Sequence, residues 1–285
     1  MRLELYYPLK PYIPGQEWGA NRACAIRNPD GSVSGVVGVP ENQPCPPGKK
    51  RLYTEILDLG GHPGEDQGAL WGQRLSASIK GKVLRRSTTD REGLGVFIIS
   101  DVPYDLDPQP KANFLGGSFY VELVNGYHMK SIAVQDEEDI ELGEPLGEAD
   151  TTGMSAGNHN HFAGRPKSKN IVNGKVQWID AIQNKFQNTI DMSSYWTGIY
   201  AEDMFKPRHK FLQDLEVGMK WLPDIAHLQK ILIYEGLFPE EIGATSIFGN
   251  ITKEAVVKFQ MRYGIRPIGR VGPVTRAQLN LLYGK

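Results

Sequence analysis

The sequence predicts an α+β multidomain chain: a mainly antiparallel β domain followed by a small three-helix domain. Three observations predict it. The chain has 285 residues, more than the ~150 that set the prior for one domain. From about residue 75, short apolar runs alternate with turn residues and no helix intervenes, which argues antiparallel pairing. After about residue 222 the period changes to that of short amphipathic helices. Hydrophobic residues make up 40% and charged residues 23%, ordinary globular usage that excludes disordered, collagenous and coiled-coil chains. The longest apolar runs fall far short of the ~20 residues that span a bilayer, so no membrane span is expected. A net charge of -1 lacks the basic excess of nucleic-acid binders, and nucleic acid is not an expected partner.

Residues 1–60 are rich in Pro and Gly. They hold Cys24 and Cys45, which the sequence leaves open between two free thiols and one disulfide. Ser78 to Leu84, interrupted by Gly81, is a strand candidate, and Val96-Phe97-Ile98-Ile99 suits a buried strand. Phe119 to Val124 meets Asn125-Gly126, a strong hairpin signal, with Tyr127 to Val134 as the returning strand. Gly143, Gly147, Gly153 and Gly157 punctuate the next stretch. Residues 164–205 read as a short amphipathic segment and a closing strand near residues 195–200. Domain boundaries are expected at 1–205, a linker over 206–222, and 223–285. In the last part Asp224 can cap a helix carrying Ile225, Leu228 and Leu232 and ended by Gly236. A second helix from about Thr252 carries Ala255, Val256 and Phe259, and a third starts at Pro273. Phe248-Gly249-Asn250-Ile251-Thr252 and Val271-Gly272-Pro273-Val274-Thr275 form a weak repeat, each placing Thr where its hydroxyl can accept an orphan N–H.

The chemistry concentrates in few residues. In His159-Asn160-His161 a strand would point both imidazoles to one face, whereas a helix would separate them by about 200°. His62-Pro63-Gly64-Glu65-Asp66 sits among too many Gly and Pro residues for a regular helix, yet a loop can bring its imidazole and carboxylate to one cation. Catalytic zinc sites use three protein ligands and an open position. His62, Asp66 and one histidine of the pair supply that count, and leave the other for proton transfer.

His62-x-x-x-Asp66 followed by His159-x-His161 resembles the lysostaphin-type zinc endopeptidases, which cut peptide bonds in bacterial peptidoglycan. Further landmarks lie in order: Trp18-Gly19 near the domain start, Gly81-Lys82-Val83, Tyr127-His128-Met129, Leu142 to Gly147, and Gly153 to Phe162. The similarity spans about residues 15–165. Gln67, Asn158, Asn160 and Ala163 depart from the family pattern, and Tyr127-His128 is one residue shorter than the family's Tyr-x-His. The resemblance implies one zinc per chain held by His62, Asp66 and His161, with His159 as general base and His128 positioning water or stabilising an oxyanion. Residues 223–283 resemble the three-helix peptidoglycan-binding domain, through Leu228-Gln229, Ala255-Val256, Phe259-Gln260 and Val271-Gly272-Pro273.

Together these imply bacterial peptidoglycan as substrate and partner. With no apolar leader after Met1, they imply a phage-lysin-like protein made in the cytoplasm and acting on the wall after release. Two rivals are a wall-binding or hydrolase-activating protein with a degenerate peptidase domain, and a muramidase using a Glu/Asp pair, for which Glu17, Glu65 and Glu122 are present but sit in no recognisable motif. His209 and His227 are expected to be solvated. Tyr195, Trp196 and Tyr200 are expected to pack the closing strand rather than line a groove.

Overall fold

The computed structural model describes residues 1–89, 93–153, 155 and 157–284. Met154 and Ala156 of the glycine-punctuated stretch lie outside the described residues. The chain divides into two compact units, Met1–Phe205 and Lys206–Lys285, and the whole is α+β, as expected. No helix among the described residues is long and apolar enough to cross a membrane.

The first unit contains β1 (Leu5–Tyr7), β2 (Ile13–Pro14), β3 (Ala23–Arg27), β4 (Val33–Gly38), β5 (Lys50–Arg51), β6 (Glu65–Gly68), β7 (Arg74–Ser76), β8 (Gly81–Thr89), β9 (Gly93–Ser100), β10 (Tyr104–Leu106), β11 (Gly117–Ile132), β12 (Asp139–Ile140), β13 (Pro145–Ala149), β14 (His159–Val172), β15 (Lys175–Asp180), β16 (Trp196–Tyr200) and a single helical turn, α1 (Ala201–Met204). The main sheet follows the order β12-β8-β9-β11-β14-β6-β2 and its pairings are antiparallel. Val83, Val96, Ile98, Val121, Leu123, Met129 and Phe162 alternate inward and form its core. β16 closes the unit by pairing in parallel with β1. Tyr195 is buried in the core beside it and its hydroxyl accepts the Asp107 N–H at 2.8 Å.

A small lobe, β4-β3-β5, precedes the main sheet. It has its own core of Ala23, Ala25, Leu52 and Ile56. Cys24 and Cys45 are joined as a disulfide, which settles the choice the sequence left open.

The expected hairpin at Asn125-Gly126 is not a turn, because β11 runs straight through it. Asn125 is fully buried. Its Oδ1 accepts the Ser78 N–H at 2.8 Å and its Nδ2 donates to the Ser76 carbonyl at 2.9 Å. The Asn-Gly pair is therefore a buried polar clasp inside a central strand.

The second unit holds α2 (Pro223–Tyr234), α3 (Asn250–Arg262) and α4 (Pro273–Tyr283). Residues 206–222, expected as a linker, are instead part of this unit: Phe211 and Leu215 are buried with Ile225, Leu228, Phe248, Phe259 and Leu279, and Leu215 bridges to Val271. Asp224 does not cap α2, since Pro223 occupies the first turn; its carboxylate accepts His209 Nε2 at 2.8 Å. His209 and His227, expected to be solvated, stack with ring centroids 4.0 Å apart. The repeat has a structural basis that differs from capping. Gln229 Nε2 donates to Thr252 Oγ1 at 3.0 Å, and Gln260 Nε2 to Thr275 Oγ1 at 2.9 Å. In each half a helix glutamine clamps the first turn of the following helix and the loop before it.

Candidate metal centre

Two neighbouring strands build the site. β14 pairs with β6 so that His161 lies opposite Asp66, Asn160 opposite Gln67, and His159 opposite Gly68. His159 and His161 share a face by strand alternation, and Asp66 meets them from β6. The loop before β6 brings in His62, held by two backbone bonds: its N–H to the Ala20 carbonyl at 2.7 Å, and its carbonyl from the Gly19 N–H at 2.8 Å.

The separations are 2.9 Å for His62 Nε2 to His161 Nδ1, 3.3 Å for His62 Nε2 to Asp66 Oδ1, and 3.2 Å for His161 Nδ1 to Asp66 Oδ1. These are close to the edges of a tetrahedron: ligand bonds of about 2.05 Å to zinc imply ligand–ligand distances of about 3.3 Å. His62, Asp66 and His161 also form the one potential metal-holding group found among the described residues.

The donor set points the same way. His159 Nδ1 donates to the Gly157 carbonyl at 2.8 Å, which turns Nε2 toward Asp66 Oδ1, 3.5 Å away. His62 Nδ1 faces the Glu17 carbonyl at 3.4 Å. The carbonyl contacts turn the remaining nitrogens inward, the arrangement that orients metal-binding imidazoles. Atoms able to ligate a metal thus converge on one point, within reach of a single cation.

Electrostatics agree with this donor set. Burial pushes the Asp66 carboxyl up, but the His62 charge, hydrogen bonds from His161 and His62, and the His159 charge overcome it and hold the group well below the usual carboxylate range. Burial lowers His161 to about 4, against the opposing Asp66 hydrogen bond. A neutral imidazole and an ionised carboxylate are the forms that bind metal.

His128 lies in the same cavity, and the structure explains its altered spacing. The β11–β9 register passes from Gly126 opposite Val96 to Met129 opposite Leu94, so Tyr127 and His128 together face the single Gly95. This is a β-bulge, with His128 at φ 62°. In a regular strand adjacent residues point to opposite faces. The bulge turns both to the site: Tyr127 stacks on His161 at 5.6 Å and His128 lies 4.7 Å from His159, centroid to centroid. Gly95 makes room, since a Cβ there would sit 2.5 Å from Tyr127 Cδ1. His128 Nδ1 donates to the Thr152 carbonyl at 2.6 Å. Burial, followed by the charges of His159 and His161, lowers its pKa to about 4.

The departures at Gln67 and Asn160 turn out to be one feature. The two residues are directly paired and fully buried, and Asn160 Nδ2 donates to Gln67 Oε1 at 3.2 Å. Sequence reasoning missed Tyr53, whose ring lies 5.0 Å from that of His62. Burial first and the Asp66 charge second raise its hydroxyl pKa. It sits on a single π-turn, Leu52–Ile56, with no motif to announce it. The three glutamates fail as a muramidase pair. Glu122 is bound by Arg165 at 2.7 Å and Lys167 at 3.1 Å, Glu65 faces away from Asp66 by strand alternation, and the Glu17 side chain is 80% exposed.

Residues 222–279 match the family model described as a putative peptidoglycan binding domain. No curated protein matches the chain in sequence. Among solved structures, the chain is similar to the catalytic domain of the prophage-encoded M23 protein EnpA from Enterococcus faecalis, at 16% identity over 61% of this chain and 94% of that one, with a TM-score of 0.33. It is also similar to the catalytic domain of the antimicrobial peptidase lysostaphin from Staphylococcus simulans, at 16% identity over 48% of this chain and 79% of that one, TM-score 0.33. A zinc-containing peptidase from Vibrio cholerae shares 17% identity over 64% of this chain and 40% of that one, TM-score 0.34.

Proposed function

We propose that the protein is a zinc-dependent endopeptidase that hydrolyses peptide bonds in bacterial peptidoglycan. The observation that carries the reading is the near-tetrahedral set of His62 Nε2, Asp66 Oδ1 and His161 Nδ1. The match of residues 222–279 to a peptidoglycan-binding domain supports the choice of substrate. His62, Asp66 and His161 would hold one zinc ion per chain. When bound, the cation supplies Lewis acidity to a carbonyl and acidifies water.

The chain's own residues do the rest. His159 presents the Nε2 lone pair on the face it shares with His161, so it takes the proton of the attacking water and returns it to the leaving amine. General acid–base groups of this kind contribute about 10²–10⁴-fold. His128 lies beside His159, its Nδ1 tied to Thr152, which leaves Nε2 to position the water or support the developing oxyanion. Tyr53, packed on the His62 ring, is a positioning group on the same wall.

The test is zinc content together with mass spectrometry of digested peptidoglycan. Stoichiometric zinc and new amino termini are expected. New reducing sugars, or no products from a zinc-loaded chain, would overturn the reading.

A further inference from the structure

We infer that Arg22 determines substrate specificity by binding a free carboxylate of the peptide substrate in an extension of the metal-site cleft. The identity of the substrate as a peptide rests on the proposed hydrolase reading; the placement of Arg22 does not. The cavity around the metal centre has a volume of about 400 Å³. It continues past Gly15, Gln16, Arg22 and Gly38 into a second groove lined by residues 39–42. A ligand that reaches from one to the other passes Arg22.

Charge picks out this residue. Arg22 is the one lysine or arginine among the described residues lining either cavity. The acidic side chain of the extension, Glu41, has its Oε1 taken by the Asn21 N–H at 2.8 Å. The ion pair from Arg22 Nη2 to Glu17 is 3.9 Å long, between side chains that are 45% and 80% exposed. That is too long for a hydrogen bond and too exposed to hold the guanidinium strongly. A carboxylate can therefore take the guanidinium in a two-bond fork.

The surroundings are fixed in advance. The Arg22 carbonyl accepts the Val39 N–H at 2.7 Å. Arg51 donates to the carbonyls of Asn21 at 2.8 Å, Val39 at 3.2 Å, Pro40 at 2.9 Å and Glu41 at 3.0 Å, and also to that of Gln43. The Cys24–Cys45 disulfide ties the same loop to β3. Ligand binding then orders little beyond the Arg22 side chain itself, which keeps the entropic cost low.

The carboxylate has two sources, an acidic residue within the peptide or its carboxyl terminus. The experiment uses the full-length, zinc-loaded chain and three synthetic stem peptides: one with both carboxylates free, one amidated at the C-terminus, and one amidated at the internal residue. With wild type, one of the two amidations should raise KM about tenfold, the loss of one charge-assisted contact, with kcat changed less than about twofold. Arg22→Ala should raise KM to the same extent for the free acid and add nothing for that amidated peptide. Arg22→Lys should recover part of the loss.

Equal losses on all three peptides, or an unchanged KM, would overturn the inference. Calorimetric titration of the same peptides into His159→Ala, with and without Arg22→Ala, reads the same pattern without turnover. If the binding pattern appears but zinc-loaded wild type cleaves none of the peptides, the hydrolase reading fails and Arg22 keeps its role. If wild type cleaves all three peptides without discrimination, Arg22 loses its role and the hydrolase reading stands.

Discussion

A methyl group on Gly64 should damage the metal centre without touching a ligand's own position in the sequence. Gly64 lies in the loop between His62 and Asp66, and a Cβ there would meet Cε1 and Nε2 of His161 at 2.8 Å and lie closer still to the Phe162 carbonyl oxygen. Ordinary contact is about 3.5 Å, so the imidazole must give by about 0.7 Å or the loop must lift. The ring has little room, with Tyr127 stacked on one face and His62 against it edge-on at 4.7 Å. Metal–ligand distances tolerate only about 0.2 Å, so the required shift is more than about three times what the centre accepts. Gly64→Ala should weaken zinc binding about 10–100-fold, the range seen when the support of a ligand is lost. Overpacking should add about 1–3 kcal/mol of destabilisation, at about 2–4 °C in Tm per kcal/mol for a unit of this size. The assay is transfer of zinc to a competing chromophoric chelator, with thermal melts in the presence and absence of zinc. Gly157→Ala is the control, because a Cβ there meets nothing within 4 Å. If Gly64→Ala binds zinc as tightly as Gly157→Ala and gains the same Tm on loading, the steric reasoning is wrong.

Three further outcomes are expected. Asp66→Ala should abolish stoichiometric zinc by elemental analysis, along with the rise in Tm that metal bound only to the folded state provides; His159→Ala should keep the zinc and lose about 10²–10⁴-fold in turnover. A fragment of residues 206–285 should fold cooperatively by circular dichroism, whereas 223–285, which lacks Phe211 and Leu215, should not. Loss of one buried phenylalanine alone costs about 3–5 kcal/mol. His227 is lowered to about 4 by burial first and by the His209 charge second. The unfolded chain, titrating near ~6.5, therefore takes up its proton first, and stability of the helical unit should fall as pH drops from about 6.5 toward 4. Melts of 206–285 across that window should show the fall, and His227→Gln should reduce it; an equal fall in the variant would exclude His227 as its source.

The His/Asp core of the site was legible because its geometry is local. Two-residue alternation in a strand is enough to put His159 and His161 on one face and the Gly-rich loop frees His62 to meet them, whereas Asp66, read as part of that loop, is presented by β6 opposite His161. The bulge at Tyr127-His128 was not legible, because it exists only relative to the partner strand, where Gly95 stands opposite two residues. The Asn125-Gly126 signal misled for a related reason: Asn-Gly favours a turn in isolation, but long-range bonds from Asn125 to Ser76 and Ser78 outweigh that preference. Residues 206–222 read as a linker because Phe211 and Leu215 lie in no periodic run. Their burial depends on α2, α3 and α4 being assembled around them. The helices themselves were readable, since each buries a stripe that its own period displays.

The paired amides beneath the metal centre carry a consequence for how such a site can change over generations. Asn160 Nδ2 donates to Gln67 Oε1 in a buried setting and Gln67 Nε2 donates in turn to Glu65 Oε1, so replacing either amide with a hydrocarbon side chain strands a buried partner at about 1–3 kcal/mol. Replacing both together removes the shared bond and the unpaired Asn160 Oδ1 at once, and leaves Glu65 short of one donor while Trp196 Nε1 still holds its other oxygen. Single-step descent toward an apolar pair therefore crosses a deeper valley than descent by two linked steps. The pair can persist in a lineage because the exits from it are epistatic, whether or not it improves catalysis, and a library that varies positions 67 and 160 jointly should recover apolar combinations that scanning either position alone discards.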